Sequence, residues 1–124
     1  MNFNDTLKKM IEAAAAAANI HWKDFRSYAE QEFKKIAEAG AWLEANYISD
    51  VATADLQRKA ANRDELKRKA KLRAELAFDS LRLASEGVMT AANADAKIAA
   101  QSATNAALAV LRTAVNESVG IALL

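Results

Sequence analysis

The sequence predicts an all-α protein, and three observations carry that prediction. Proline is absent and only three glycines occur among 124 residues, so the residues that interrupt helices are scarce. Strong helix formers, chiefly Ala, Glu, Lys, Arg and Leu, dominate the chain. Large apolar residues recur at steps of three and four, the spacing of an amphipathic helix. We expect an elongated antiparallel up-down-up bundle of three long helices, or of four if the chain breaks near Asn19 or Asn62.

Length and composition predict one helical-bundle domain over residues 1–124. Hydrophobic residues make up 52% and charged residues 27%, which is typical of a globular rather than a disordered chain. The absence of cysteine excludes disulfides and thiolate metal sites. No signal-peptide pattern opens the sequence, and no stretch reaches the roughly 18 apolar residues of a membrane span. The cytoplasm is therefore the expected location.

The first predicted helix begins at Asn4 or Asp5, either of which can cap it. It contains six consecutive alanines, Ala13–Ala18. A stretch with so little side-chain bulk favours close approach of another helix, because helix spacing follows the size of the contacting side chains. Asn19 can cap a new helix and give a short break. The apolar stripe nevertheless continues across Asn19 in phase, so a continuous helix is expected there.

The segment from Trp22 to Tyr47 is the predicted core strip, and it holds six of the eight aromatic residues. A glycine inside a helix costs up to about 1 kcal/mol relative to alanine. Gly40 on the apolar face therefore predicts crowding by a neighbouring helix. The residues expected on this face are Trp22, Phe25, Ala29, Phe33, Ile36, Gly40, Leu43 and Tyr47.

The first boundary in the pattern lies at residues 46–50, where Ser49 or Asp50 can cap a second helix. That helix is expected to continue to Glu86, with Gly87 as a left-handed cap.

Two further helix starts are predicted later in the chain. Asn62 and Glu65 have the spacing of a capping box, so a break near Asn62 is the alternative to a continuous second helix. The third helix is expected to begin at Thr90 or Asn93 and to run nearly to the end. The second half of the predicted second helix is amphipathic, and its apolar side is expected to be buried. The residues on that side are Leu72, Leu76, Ala77, Leu81, Leu83, Ala84 and Val88.

The last predicted helix carries very little charge. Between Ile98 and Leu124 the only charged residues are Arg112 and Glu117. Such a helix is either buried on most sides or lies against a partner. We therefore expect self-association, most simply as a dimer, through the apolar stripe of this helix. The predicted interface residues are Leu108, Leu111, Val115, Val119 and Ile121.

Residues 58–73 contain eight basic residues against two acidic ones. This charge density suits phosphate contacts, but the segment has no aromatic residue for base stacking. The whole chain has a net charge of only +1, which weakens long-range attraction to a polyanion. The leading interpretation is a solvated arm, with anion binding as the alternative. The candidate anion-binding residues are Arg58, Lys59, Arg63, Lys67, Arg68 and Lys71.

Groups that carry catalysis are few. His21 is the only histidine, and Asp24 three residues later can pair with it, which is half of an acid–base arrangement. No nucleophile motif and no glycine-rich phosphate loop occurs. Di-iron bundles require Glu-x-x-His motifs, and none accompanies the four glutamates that invite this comparison, Glu30, Glu32, Glu38 and Glu44. We expect no enzymatic activity, no metal and no cofactor.

The sequence thus predicts a non-enzymatic helical-bundle protein that acts through self-association and protein-partner binding. One alternative is a lipid- or granule-surface protein, because the Ala-rich, Pro-free long helices are similar in composition to granule-coating phasins, without a shared motif. The other alternative is a nucleic-acid binder that uses residues 58–73.

Overall fold

The computed structural model describes residues 1–86, 92–93 and 96–124. These residues contain four α-helices and a short 3₁₀ turn at Asn19–His21, and no strand is found among them. The predicted all-α class is confirmed. The helices are α1 (Phe3–Ala18), α2 (Trp22–Asp55), α3 (Ala60–Ala84) and α4 (Lys97–Val119).

The chain reverses direction at Asn19, so the predicted continuous helix is wrong. Asn19 ends α1 with φ 53° and ψ −127°, and its N–H donates to the carbonyl of Ala15. The Met1 ammonium lies 2.9 Å from Glu44 Oε1, which places the start of α1 beside the middle of α2. The apolar pattern runs through Asn19 without a phase jump because both helices direct their stripes into the same core.

The predicted boundary at residues 46–50 is also wrong. Helix α2 continues to Asp55, and the interruption lies at residues 56–59, just before Asn62. The reason is packing against α3: Asp50 Oδ2 pairs with Arg73 at 3.3 Å, and Ala54 is buried. The polar residues that suggested a cap lie instead on the outer flanks of a continuing helix.

The helix caps agree with the sequence only in part. Asn2 caps α1 by accepting a hydrogen bond from the N–H of Asp5 at 3.0 Å, so the helix begins slightly earlier than expected. Asn93 accepts a hydrogen bond from the N–H of Ala96 at 2.9 Å, but α4 begins at Lys97, four residues later than the predicted start at Asn93. The expected positions Gly87 and Thr90 lie outside the described residues.

The predicted core strip on α2 is confirmed. Trp22 and Tyr47, at its two ends, are half-buried against the core. Between them, six residues at helical spacing are buried: Phe25, Ala29, Phe33, Ile36, Gly40 and Leu43.

Helices α1 and α4 share the most extensive helix–helix contact in the described part of the chain. Alanines face each other there: Ala14 and Ala18 on α1 are buried, as are Ala100, Ala103 and Ala107 on α4. Small side chains allow helix axes to approach to about 8 Å. The alanine-rich stretch therefore packs within its own chain, in agreement with the expected close approach.

The last two turns of α2 and the first half of α3, with the turn between them, form a segment that we call the α2–α3 arm, residues 48–73. Two ion pairs connect its helices, Asp50 with Arg73 and Asp55 with Lys67, the latter at 2.7 Å. Within the arm only Ala54 and Ala70 are buried. The arm therefore has almost no apolar core of its own.

Candidate functional site

The predicted interface on α4 belongs mostly to the core. Leu111 and Val115 are fully buried and Leu108 is 7% exposed within the single chain. These three side chains pack against other helices and cannot also face a second copy, which corrects their assignment. Val119 is half-buried, and Ile121 is 49% exposed, so only the end of the predicted stripe is accessible.

An exposed apolar stripe lies instead on α3. Leu72, Leu76 and Leu83 are 47%, 58% and 67% exposed, although each was expected on the buried side. We call these three residues the outer leucine stripe. Consecutive helical residues are about 100° apart, so Leu72 points away from buried Ala70, and Leu83 points away from buried Leu81. Helix α2 packs against the buried side of α3, and the outer leucine stripe lies on the opposite side of α3.

Helix α3 carries two apolar stripes, and the sequence does not show which one packs inside. The buried stripe consists of Ala70, Ala74, Phe78, Leu81 and Ser85. Its first half is alanine, which lets α3 lie close to α2. A prediction based on side-chain size assigns the leucines to the core. The sequence signal for the opposite assignment is a second periodic set of apolar residues. Its members Ala70, Ala74 and Leu81 each lie two residues before one of the three leucines.

Charged residues flank the outer leucine stripe and differ in sign along the helix. Before Leu76 the flanks are mostly basic, since residues 58–73 carry eight basic residues and two acidic ones. Residues 75–86 carry three acidic residues and only one basic residue, Arg82. Glu75 lies 4.0 Å from Lys71, and Arg82 lies 3.4 Å from Asp79, all on exposed side chains. Helix α3 is therefore charge-polarised along its length.

Acidic neighbours already pair with three of the six candidate anion-binding residues. Lys67 pairs with Asp55, and Lys71 pairs loosely with Glu75. Arg63 donates to the backbone carbonyls of Gln57 and Arg58, at 2.9 and 3.1 Å, and so holds the turn between α2 and α3.

Glu65 forms ion pairs with Arg68, a member of the candidate set, and with its neighbour Lys69. Arg68 donates to Glu65 Oε1 at 3.0 Å, and Lys69 lies 3.7 Å from the same oxygen. The hydrogen bond and the charge of Arg68, with a smaller effect of Lys69, lower the pKa of the Glu65 carboxyl. Within the described residues, Arg58 and Lys59 are the members of the candidate set whose side chains form neither an ion pair nor a hydrogen bond.

A polar cluster joins the start of α1 to α2 and to the end of α4. The Met1 ammonium donates to Glu44 Oε1 and, at 3.0 Å, to Ser118 Oγ; Ser118 also donates to Glu44 Oε1. Glu44 is 8% exposed, and its Oε2 is buried without a partner among the described residues. This cluster lacks a nucleophile–base pair, so its geometry supports a structural tie between helices.

The remaining candidates offer no catalytic arrangement. His21 Nδ1 lies 3.2 Å from Asp24 Oδ2, and both side chains are partly exposed on the surface. A groove of about 440 Å³ lies between α2 and α3 and is rimmed by the Asp50–Arg73 pair. Among the described residues no group of three or more His, Cys, Asp or Glu side chains is placed to hold a metal ion. None of the described helices is long and apolar enough to cross a membrane.

Comparison of this chain with protein-family models, with curated proteins and with solved structures finds no match. Among the surface features described above, the outer leucine stripe is the one that indicates a function most directly.

Proposed function

We propose that this chain is a non-enzymatic helical protein that acts through self-association, with the outer leucine stripe of α3 as the contact surface. The observation that carries this proposal is the 47–67% exposure of Leu72, Leu76 and Leu83 on one helix face. Contiguous exposed apolar patches on a soluble protein mark interaction sites, whereas single exposed apolar residues do not.

The proposed arrangement of the chain is one domain, an antiparallel bundle in which α1, α2 and α4 surround the core and α3 packs along α2. The contacts between Met1 and Glu44 and between Arg73 and Asp50 support it, because each joins residues that are far apart in sequence. In this arrangement α3 has only one covered side. The bundle thus supplies a rigid support for the outer leucine stripe.

The lack of a core in the α2–α3 arm also supports association. Only Ala54 and Ala70 are buried there, and alanine contributes little apolar area. A pair of helices with so small a shared core gains stability when a further helix covers its outer face. Self-association through the outer leucine stripe provides that cover at the base of the arm, where Leu72 lies.

Sedimentation equilibrium tests the proposal. We expect the wild-type protein to form a dimer at micromolar concentrations, and the Leu72→Ser/Leu76→Ser/Leu83→Ser variant to be monomeric with an unchanged helical circular dichroism spectrum. The matched control is Ile20→Ser/Leu56→Ser/Ile98→Ser, which removes three other exposed apolar side chains, 74–81% exposed, and should remain dimeric. A monomeric wild type at high concentration would refute self-association, and a dimeric triple-leucine variant would refute this surface.

Flotation with lipid vesicles distinguishes a membrane or granule surface from a second copy as the occupant of the stripe. We expect the protein to stay in the unbound fraction, because the outer leucine stripe is satisfied in the dimer. Co-flotation of the wild type, lost in the triple-leucine variant, would replace self-association by surface binding.

A further inference from the structure

The charge polarity of α3 specifies how two copies meet, an inference that depends on the self-association proposed above. We infer that the second copy lies antiparallel along the outer face of α3, with Leu72 of one copy opposite Leu83 of the other.

The spacing of the stripe suits a two-helix seam. Leu72, Leu76 and Leu83 are separated by four and seven residues, which are the steps of a heptad pattern. In that pattern Asp79 occupies the fourth seam position, between Leu76 and Leu83. The buried residues Ala74 and Leu81 fall at the heptad position opposite the seam, which directs each body away from the pair. The buried side of each α3 therefore faces away from the proposed seam.

The charges favour the antiparallel orientation. A parallel pair aligns the basic half of one α3 with the basic half of the other, over residues that carry eight positive and two negative charges. An antiparallel pair removes that alignment: with Leu72 opposite Leu83, residues 69–73 face residues 82–86 of the second copy, and residues 58–68 extend past the end of its α3. Opposite charges across an interface fix orientation, since like charges placed together are unfavourable.

One register places Leu72 of each copy on Leu83 of the other, sets Leu76 beside Asp79, and brings opposite charges together on the flank. With Leu72 opposite Leu83 of the second copy, the two-fold axis passes between positions 77 and 78. Glu75 of each copy then lies opposite Arg82 of the other, on the same flank of the seam. Both side chains are exposed in the single chain. Within that chain Glu75 lies 4.0 Å from Lys71, and Arg82 lies 3.4 Å from Asp79. Exchange of these weak surface pairs for contacts across the interface requires little rearrangement.

A charge exchange tests the register in the intact chain. Glu75→Arg and Arg82→Glu should each weaken the dimer by roughly tenfold, since each places like charges at two symmetric contacts. The double variant Glu75→Arg/Arg82→Glu should restore wild-type affinity. Positions 75 and 82 are about 10 Å apart along the same helix, so the rescue cannot arise within one copy. The control exchange Arg26→Glu/Glu30→Arg, at an ion pair on α2, should leave affinity unchanged.

Cross-linking tests the orientation separately, and the absence of cysteine makes single-cysteine variants unambiguous. With a short bis-maleimide we expect Leu76→Cys to link to itself near the two-fold axis. Leu83→Cys should not link to itself, because the two sites lie about 16 Å apart along the axis. A mixture of Leu72→Cys and Leu83→Cys should link.

The outcomes separate the two proposals. Efficient self-linking of Leu83→Cys indicates a parallel pair and overturns the antiparallel inference, while self-association through the stripe stands. Failure of the double charge variant to recover affinity, in a dimer that the triple-leucine variant still disrupts, overturns the register. A wild-type monomer removes both.

Discussion

Leu111 on α4 occupies the space that a side chain at Gly40 on α2 would need. A Cβ atom at position 40 would lie 2.7 Å from Leu111 Cδ1 and 3.0 Å from its Cδ2. Leu111 is fully buried, so its side chain has little freedom to move aside. The glycine thus allows α4 to lie directly on α2 at the centre of the core.

We predict that Gly40→Ala lowers the free energy of unfolding by about 1–2 kcal/mol. Overpacking costs about 1–3 kcal/mol, and the higher helix propensity of alanine offsets up to about 1 kcal/mol of it. Chemical denaturation measures the change. In a Leu111→Ala background the same substitution should be neutral or stabilising, because the colliding methyl groups are absent. Equal effects in both backgrounds would contradict the crowding.

The backbone of Asn19 predicts a second effect on stability. Its φ of 53° with ψ −127° lies in a region that side chains other than glycine rarely adopt. We expect Asn19→Gly to stabilise the protein by about 0.5–1 kcal/mol and Asn19→Ala to destabilise it by about 1 kcal/mol. Thermal unfolding of the two variants provides the measurement. An opposite order would mean that the turn is not strained.

Thr104 supplies a third prediction. It is 2% exposed, and its hydroxyl is buried without a partner in the described part of the chain. Replacing an unpaired buried hydroxyl by a methyl group of similar size removes a desolvation cost of about 1–3 kcal/mol. Thr104→Val should therefore raise the free energy of unfolding by about 1 kcal/mol. The exposed Thr113→Val serves as control and should change it little.

The Arg68–Glu65 pair predicts a titration change. Because the folded state lowers the pKa of Glu65, this pair stabilises the fold above the ordinary carboxyl pKa. That contribution is lost as the pH falls through the lowered value. Arg68→Gln should raise the pKa of Glu65 toward its ordinary value, as followed by carbon-detected NMR of the carboxyl groups. Lys71→Gln should leave the Glu65 titration in place, since Lys71 pairs with Glu75.

Arg58 and Lys59, in the turn between α2 and α3, are the residues through which we expect this protein to contact a polyanion. We expect only weak, salt-sensitive binding of a single-stranded oligonucleotide, and Arg58→Ala/Lys59→Ala should lower the salt slope by about 1.4. Lys67→Ala/Lys71→Ala should change the slope less, because these lysines already have acidic partners. Fluorescence anisotropy at several salt concentrations measures both slopes. A larger effect of the lysine variant would show that its ion pairs open for the ligand.

The sequence predicted the interior of α2 better than the turns around it. The strip from Phe25 to Leu43 was identified because large apolar residues at helical spacing leave one way to bury them. The reversal at Asn19 was missed because its cause is tertiary. The backbone adopts a strained conformation there since α1 gains contact with α2 and α4, and no local pattern reports that gain.

The candidate surface was missed for a related reason. The sequence gives equal periodicity to the leucines at 72, 76 and 83 and to the alanines at 70 and 74. Which set faces inward depends on how closely α2 approaches, and that distance is a property of the packed helices. Close helix packing also explains why Leu111 lies in the core rather than at the predicted interface, since it fills the space left by Gly40.

The α2–α3 arm has a consequence for the internal motions of the protein. With two buried alanines as its interior, the arm has few contacts to break, so it opens at a smaller free energy than the segment around Phe33. Its amide hydrogens should exchange with deuterium first. Arg58 and Lys59, at the tip of the arm, form the peptide site that trypsin reaches earliest. A bound second copy slows the exchange of the part of α3 that it covers, around Leu72 to Leu83, and leaves the tip of the arm and the interior of α2 as they were.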